Sequence, residues 1–402
     1  MPSTVSLAPL YPFSGWVVDN VLVSPTGSEV RVYLRPDGRR KGFRCPQCKR
    51  LMGKMRERQR SVLDIPFGTA SAVYLIFTAF QGRCARCGTI HTFRPPGITV
   101  KAQGTDRLKQ YVSLLARFMP ADKIPGIVPI SADTARRWDK EVLMAQLPAP
   151  TLDDLQAILV DEKSIGRGHQ YLTVVLNAQS GEVLHLAEGK RKKSFQTFFD
   201  KLTKKQKMSI KAVGMDRAGA YKAVVRKAIP HAQIVYDKYH LIANYNEVID
   251  KIRRAEWRAA EEQDKTFIKG QRYNLFRNPE NLKPEQEVSL KKLLAINENL
   301  NKAYVLKDAL KVLWTYKYAK SAGKYLHKWI AWAMQTGIEV LQKFACALER
   351  ERDGILAFCK HRITSAKIEA FNATIGRIVR RACGYRDLEY LYLKIRQEAV
   401  PR

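Results

Sequence analysis

The feature that most constrains the fold is an alternation of strand-like and helix-like segments between residues 155 and 237. Three segments read as strands joined by glycine-containing turns, LQAILVDEKSI, HQYLTVVLNA and GEVLHLAEG. A helix-like segment, FQTFFDKLTK, follows, and then a strand, a helix and a strand, IKAVGMD, AYKAVVRKAI and AQIVYD. This order predicts a mixed α/β sheet in which an antiparallel meander is extended by parallel strands and covered by helices.

Three of these predicted strands end in an aspartate, namely Asp161, Asp216 and Asp237. The strands that end in Asp216 and Asp237 should be parallel, which brings their carboxyl ends to one edge of the sheet. Because Asp is common at strand ends and as a helix N-cap, a single example indicates little. Three carboxylates at one edge would repel each other, and also a polyanionic substrate, unless divalent cations lay between them. Oxygen ligands favour Mg²⁺, and two such ions about 4 Å apart support phosphoryl transfer.

The charge of the chain indicates a polyanionic partner. A formal net charge of +32, in a chain of 402 residues with 46% hydrophobic content, is typical of a folded protein that binds nucleic acid. An anionic membrane is the alternative, but the longest apolar run, around residues 71–80, is too short to cross a bilayer. The N-terminal segment MPSTVSLAPLYPF lacks the features of a secretory signal, so we predict a cytoplasmic, nucleoid-associated protein without membrane contact.

Four of the seven cysteines form two CxxC pairs, CPQC with Cys45 and Cys48 and CARC with Cys84 and Cys87. Two such pairs predict one structural Zn²⁺, because each tight turn presents two thiolates to a tetrahedral ion. A disulfide or a redox dithiol is the other interpretation, and neither suits a cytosolic chain. The β-branched residues between the pairs predict a zinc ribbon.

Basic residues surround the ribbon and the segment that follows it. Around the first CxxC pair, Arg44, Lys49 and Arg50 are predicted to contact DNA phosphates, although a run of charge can also be a solvated face. Two helices are predicted next, TDRLKQYVSLLARFM, capped by Thr105 or Asp106, and ISADTARRWDKEVL, capped by Ser131. They suggest a helix-turn-helix, or else a generic helical linker, because Pro125 would interrupt a middle helix. The DNA-contacting residues predicted on the second helix are Arg136, Arg137 and Lys140.

Near the end of the chain, SAKIEAFNATIGRIVRRACGYRDLEY reads as a basic helix with an apolar stripe and one early glutamate, Glu369. Ser365 is four residues before Glu369, one too many for a capping box, and neither i+3 nor i+4 holds a basic partner. A solvated glutamate is the simplest interpretation. The alternative is that the stripe packs on the sheet and directs Glu369 towards the metals, while Arg377, Arg380 and Arg381 face DNA.

Several stretches, together with the paired CxxC motifs, resemble the DDE transposases of bacterial insertion sequences, most closely the IS-L-three group. They are VDEKSIGRGHQYLTVV, GKRKKSFQTFF, VGMDRAGAY, PHAQIVYDKYHLI and SAKIEAFNATIGRIVRRACGYRDLEYL. The resemblance implies an RNase H-like core in which Asp161, Asp216 and Glu369 ligate two Mg²⁺ or Mn²⁺ ions. Asp237 would then orient a ligand or cap a helix. One departure is Asn177, where an Asp is expected.

The expected domain organisation follows from the resemblance and from the changes in pattern. We predict a zinc ribbon, a helix-turn-helix, the first part of the catalytic core, a helical insertion, and a final core segment with Glu369, at residues 1–100, 101–150, 151–240, 241–355 and 356–402.

The predicted function is a DNA transposase that binds terminal inverted repeats and catalyses metal-dependent strand cleavage and strand transfer. We expect double-stranded DNA as partner, at the terminal repeats and at the target, and a homodimer or higher oligomer on DNA. The alternative is a non-catalytic DNA-binding regulator that uses the ribbon and the helix-turn-helix. A regulator would not need aligned carboxylates.

Overall fold

The structure is a computed structural model that describes residues 10–38, 42–216 and 219–399. These residues form two compact units. The first comprises the described residues up to Pro148 together with Ile378–Gln397, and the second comprises Ala149–Arg377 and the described residues from Glu398 on.

A five-stranded sheet forms the start of the first unit, with the order β1-β2-β4-β3 and with β5 paired to β4. Its strands are β1 (Trp16–Val23), β2 (Glu29–Pro36), β3 (Gly53–Asp64), β4 (Ala72–Arg83) and β5 (Ile90–Phe93). Alternate residues such as Val73, Leu75 and Phe77 on β4 are buried, as expected for a strand with one face on a core. The long β3–β4 hairpin connects the two CxxC segments.

Two helices follow the sheet, as predicted. They are α1 (Asp106–Phe118) and α2 (Ala132–Gln146), and the side chains of Thr105 and Ser131 accept the capping hydrogen bonds. Between them, Ala121–Gly126 forms a short 3-10 helix that includes Pro125. The proline therefore stands in a tight turn rather than in an α-helix.

The second unit contains the predicted mixed sheet, in the order β10-β9-β6-β7-β8. Its strands are β6 (Ala157–Gly166), β7 (Gln170–Asn177), β8 (Val183–Glu188), β9 (Ala212–Met215) and β10 (Gln233–Tyr236). β6, β7 and β8 pair antiparallel, whereas β6, β9 and β10 pair parallel. Helices α3 (Lys192–Asp200), α4 (Lys204–Ser209) and α5 (Gly219–Ala228) connect the strands, and α4 was not expected from the sequence. Phe195, Phe198 and Phe199 on α3 pack into the sheet core.

The prediction that the first strand of the meander ends at Asp161 was wrong. β6 continues to Gly166 because its antiparallel ladder with β7 extends that far, and Asp161 pairs with Val174 inside the ladder. Only the parallel ladder with β9 stops earlier, at Leu159.

A helical region follows β10, as predicted. Its helices are α6 (Lys238–Ala259), α7 (Glu262–Gly270), α8 (Arg272–Phe276), α9 (Pro284–Ile296), α10 (Glu298–Val312), α11 (Ala319–Gln335), α12 (Glu339–Arg350), α13 (Arg352–Leu356) and α14 (Phe358–His361). Tyr245, Trp329 and Phe344 meet edge to face in its core. Between α8 and α9, the segment NPENLKPEQ contains a 3-10 turn at Pro279–Asn281.

The chain ends with α15 (Ala366–Arg381) and α16 (Leu388–Ala399). The segment Ile378–Gln397, which includes most of α16, groups with the first unit. The physical reason is a buried charged contact, because the Lys394 ammonium lies 2.9 Å from Asp139 on α2 and both side chains are almost fully buried. Tyr390 donates a hydrogen bond to the same carboxylate over 2.5 Å. Burial, followed by the charge of Asp139, raises the pKa of Tyr390.

Within the described part of the chain, no helix has both the length and the apolar character needed to span a membrane.

Candidate active site

Three aspartates stand side by side across the parallel strands of the second unit. The register of β6 on β9, continued by two residues past their last paired positions, brings Asp161 beside Asp216. The register of β10 on β9, continued by one residue, brings Asp216 beside Asp237. Because neighbouring strands are about 4.8 Å apart, and residues in register on parallel strands share a face, the three carboxylates belong to one site.

A small pocket confirms this convergence. It has a volume of about 10 Å³, and its lining includes Asp161, Asp216, Asp237, His240 and Ser365. That volume is close to the space that one water molecule needs. The pocket therefore brings together the aspartates of three strands, the first turn of α6 and the residue before α15.

Glu369 reaches the same site from the first turn of α15, whose apolar residues Ile368 and Ile375 are buried. Carboxylate oxygens of Glu369 and Asp237 and a ring nitrogen of His240 all lie within 4.8 Å of one another. Asp161 and Asp216 are not members of that tight group. The structure thus brings Glu369 close to Asp237, which was predicted to orient a ligand or cap a helix. Asp161 and Asp216 line the small pocket together with Asp237.

Ser365 connects Glu369 to Asp237. Its hydroxyl donates a hydrogen bond to Oε1 of Glu369, and its backbone N–H donates to Oδ1 of Asp237 over 3.2 Å. The other oxygen of Asp237 accepts from the backbone N–H groups of Tyr239 and His240, at 3.0 and 3.1 Å, as the N-cap of α6. Asp237 therefore ties the starts of two helices together while it is almost fully buried.

Asn372 holds Asp161 from the same face of α15 as Glu369, one turn later. Its Nδ2 donates to Oδ2 of Asp161 over 2.7 Å, and the backbone N–H of Glu162 donates to Oδ1 over 2.7 Å. Asn372 is 7% exposed, and its Oδ1 is buried without a partner within the described residues. A buried amide with one unpaired acceptor is uncommon in a protein interior, so the contact to Asp161 is the interaction that fixes this side chain.

The carboxylates repel each other in this site. Burial raises the pKa of Asp161, and the charges of Asp216 and Glu369 raise it further, against the lowering effects of the Glu162 N–H and His240. Burial also raises the pKa of the adjacent Glu162. A bound cation would remove this repulsion, because it favours the ionised form of every ligand.

The four predicted zinc ligands form a separate cluster in the first unit. Cys45 Sγ lies 3.5 Å from Cys87 Sγ, and Cys48 Sγ lies 3.3 Å from Cys84 Sγ. The four sulfurs lie within 4.8 Å of one another, and none of the four cysteines is in a disulfide. A tetrahedral site with metal–sulfur bonds of about 2.3 Å needs sulfurs about 3.8 Å apart, so the cluster fits one metal ion.

The two CxxC turns have the same backbone form. Lys49 and Gly88, each directly after the second cysteine of its pair, adopt positive φ values of 61° and 67°. The backbone N–H of Cys48 lowers the pKa of the Cys45 thiol to about 6, and that of Cys87 lowers the pKa of the Cys84 thiol. Each turn therefore stabilises the thiolate of its first cysteine, and the thiolate is the form that binds metal.

Most of the basic residues predicted near the ribbon and on α15 are exposed to solvent. Arg44, Lys49 and Arg50 are exposed around the first CxxC turn. On α15, Arg377 and Arg380 are exposed and Arg381 is half-buried. These residues remain predictions as DNA contacts.

The basic residues of α2 form ion pairs within the protein. Arg136 forms ion pairs with Asp122 and Asp133, and Lys140 lies 2.8 Å from Asp387 and 2.6 Å from Glu389. The carboxylates of Asp387 and Glu389 raise the pKa of Lys140. The exposed Arg137 remains 3.9 Å from Glu141. A phosphate contact by Arg136 or Lys140 would therefore compete with an existing carboxylate.

Sequence reasoning missed three residues of the site, namely His240, Ser365 and Asn372. A signal existed for His240, which is three residues after Asp237 and so on the same helix face. Ser365 precedes Glu369 by one helical turn, which also permits contact. Asn372 lies beside the apolar stripe of the helix, and no local signal indicated that it is buried against Asp161.

Comparisons with known proteins identify the family of the chain. A family model described as "Transposase", of the DDE type and the IS-L-three group, matches residues 158–395. The chain is 34% identical over 374 residues to the transposase for insertion sequence element IS1001 of Bordetella parapertussis, covering 92% of this chain and 91% of the relative. It is 29% identical over 288 residues to the transposase for IS1557 of Mycobacterium tuberculosis, covering 66% of this chain and 62% of the relative. The chain belongs to the DDE transposases of insertion sequences, in the IS-L-three group.

Proposed function

We propose that the chain is a DNA transposase that binds the terminal inverted repeats of its insertion sequence and performs metal-dependent strand cleavage and transfer. In the first step, water hydrolyses a phosphodiester bond at the end of the element and leaves a 3′-OH. In the second step, that 3′-OH attacks a phosphodiester bond of target DNA, so that one bond forms as another breaks. The observation that supports this most is the in-register row of Asp161, Asp216 and Asp237 with Glu369 beside it.

The sheet supports an RNase H-like core. An antiparallel meander of β6, β7 and β8 is extended through β6 by two parallel strands, β9 and β10. In open α/β sheets, ligands bind beyond the carboxyl ends of the parallel strands, which is where Asp216 and Asp237 lie. The boundaries that we propose for the ribbon, helix-turn-helix, core and insertion are those predicted from the sequence.

The residues of the site fit two divalent metal ions, Mg²⁺ or Mn²⁺. The donor set consists of carboxylate oxygens, which hard cations prefer, and a bound cation would relieve their mutual repulsion. Asp161, Asp216 and Glu369 would hold the ions. Bound there, such ions lower the pKa of an attacking water or hydroxyl and stabilise the leaving oxygen.

The protein groups around these ligands hold them in place. Asn372 and the backbone N–H of Glu162 each occupy one oxygen of Asp161, which fixes its carboxylate plane. Ser365 orients Glu369, and Asp237 anchors Ser365. Asp237 is thus a positioning residue in this proposal, because both of its oxygens already accept backbone hydrogen bonds.

The first unit would recognise DNA. One structural Zn²⁺ on Cys45, Cys48, Cys84 and Cys87 would hold the ribbon, and the exposed basic residues next to it would contact phosphates. The two helices α1 and α2 would act as a helix-turn-helix. We further propose that the protein acts in the cytoplasm at the nucleoid, as a homodimer or higher oligomer on DNA.

A cleavage assay on DNA with the element's own ends, with and without Mg²⁺, tests the function. We expect Glu369→Gln, Asp161→Asn and Asp216→Asn to abolish nearly all cleavage and strand transfer, because each removes the negative charge that holds a hard cation. Asp237→Asn should reduce activity less. Binding to the terminal repeats should persist in all four variants.

Glu247→Gln is the matched control, since Glu247 is an exposed glutamate on α6. It should cleave like the wild type. If Glu369→Gln also cleaves like the wild type, the assignment of the carboxylates is wrong. If the wild type binds the ends but never cuts them in Mg²⁺ or Mn²⁺, the protein is a regulator instead.

A further inference from the structure

A second concave site adjoins the aspartate pocket within the second unit. It has a volume of about 470 Å³ and shares Ile363 and Thr364 with that pocket. Its walls come from the start of β6, the β7–β8 turn and the residue before β9. They are completed by the end of α14, the segment that follows it and the first turn of α15. We call it the lateral cavity.

The lateral cavity is strongly cationic. Its basic lining residues are Lys211, Lys360, His361, Arg362 and Lys367, and no carboxylate is among the described residues that line it. Lys211 and Lys360 are exposed, and neither forms an ion pair within the described chain. Like charges in one concavity repel each other and focus the field on anions, so the arrangement suits an anionic ligand.

Hydrogen bonds to backbone carbonyl groups hold Lys367 and Arg362 in the wall of the lateral cavity. Lys367 donates to the carbonyl oxygens of Ala178, over 3.1 Å, and of Gln179. Arg362 donates to the carbonyl oxygens of Trp314 and Tyr316 over 3.3 and 2.8 Å. Because these acceptors are neutral, both side chains keep their positive charge inside a fixed frame.

The size of the cavity restricts what enters it. A volume of about 470 Å³ falls within the range of small-molecule pockets, about 300–1,000 Å³. A duplex does not fit, since its major groove alone is about 12 Å wide. The amides of Gln156 and Gln179 and the His361–Gln233 hydrogen bond, of 2.7 Å, offer donors and acceptors, and Ala157 offers apolar surface. Anionic, polar and apolar parts occur together in one nucleotide.

We propose that the lateral cavity binds one unpaired nucleotide of the DNA strand that enters the active site, with its phosphate between Lys211 and Lys360. The proposal rests on the transposase function, which supplies the DNA strand. It implies that at least one base pair next to the cut opens when DNA binds. Enzymes that modify a DNA base place an extruded nucleotide in a pocket, at a cost of a few kcal/mol for the opened base pair.

The double variant Lys211→Gln/Lys360→Gln tests the proposal. Both side chains are exposed, so the fold should tolerate the change. Binding would be measured in Ca²⁺ for two DNAs, a blunt duplex of the terminal repeat and the same duplex with a single-stranded overhang at the cut. We expect about a tenfold loss of affinity for the overhang DNA and under about twofold for the blunt duplex, since two ion pairs are lost only where a free strand reaches them. For the overhang DNA, the slope of log K against log salt concentration should become shallower by about 0.7, the contribution of one single-strand phosphate.

The matched control is Lys324→Gln/Lys328→Gln, which removes two exposed lysines from α11. It should not change the preference for overhang over blunt DNA. The proposal is wrong if the cavity variant binds overhang DNA as the wild type does, or if it weakens both DNAs equally. A wild type that binds DNA but never cuts element ends in Mg²⁺ would instead overturn the transposase function.

Discussion

Asn372→Ala removes the side chain on α15 that donates a hydrogen bond to Asp161. The lost contact is a 2.7 Å hydrogen bond from an amide to a carboxylate, a type that contributes about 1.5–3 kcal/mol. At about 1.4 kcal/mol per factor of ten, cleavage should slow by about 10- to 100-fold if that energy serves to orient Asp161. The loss of overall stability should be smaller, because the change also removes the unpaired buried Oδ1.

The assay separates positioning from folding. For Asn372→Ala, the Mn²⁺ concentration that gives half-maximal cleavage should rise, whereas the melting temperature and the affinity for terminal repeats should change little. Asn372→Asp keeps the shape but puts a second carboxylate against Asp161, so it should lose more activity than Asn372→Ala. Thr374→Ala, on the same helix, is the control and should behave like the wild type. Wild-type metal dependence in Asn372→Ala would refute the reasoning, and so would a loss of activity that only follows a loss of stability.

Two further predictions concern the first unit. Cys84→Ser should purify without its zinc and lose terminal-repeat binding, as measured by metal analysis and a DNA-binding assay, whereas Cys346→Ser, at an exposed lone cysteine, should keep both. Zinc content at the wild-type level in Cys84→Ser would contradict the four-cysteine site. Lys394→Met should lower the free energy of unfolding of the first unit by about 3–5 kcal/mol in urea, because the buried carboxylate of Asp139 loses its cationic partner. Adding Asp139→Asn should restore part of that loss, and an equal or larger loss in the double variant would show that the ion pair is not the cause.

The parts of the site that the sequence could predict are those with a local signal. Asp216 and Asp237 follow short apolar strands directly, and the CxxC spacing specifies a turn that presents both thiols. Thr105 and Ser131 stand just before the first helical residue, where a side-chain oxygen can accept a free N–H. Each of these inferences depends on neighbours within a few residues.

The contacts that could not be predicted join distant parts of the chain. Asn372 and Asp161 are 211 residues apart, and Lys394 and Asp139 are 255 residues apart. No spacing rule relates such pairs, and an Asn beside an apolar stripe usually faces water. The end of β6 was misplaced for a similar reason, because the partner strand β7 decides how far the ladder extends, not the residue type of Asp161.

Helix α16 is synthesised after all the other described helices, yet it completes the unit that contains the first described strand. Translation proceeds from the N-terminus, so the zinc cluster, α1 and α2 leave the ribosome long before Lys394 exists. Until then, Asp139 lacks its buried cation, and the helix pair lacks the apolar cover of Tyr390 and Leu393 against Leu143. We therefore expect the first unit to reach its final form only after the second unit, which contains the active-site carboxylates, has been synthesised. A shortened polypeptide from a damaged copy of the gene would then fail to form a stable first unit, and would not occupy DNA ends that a complete protein could use.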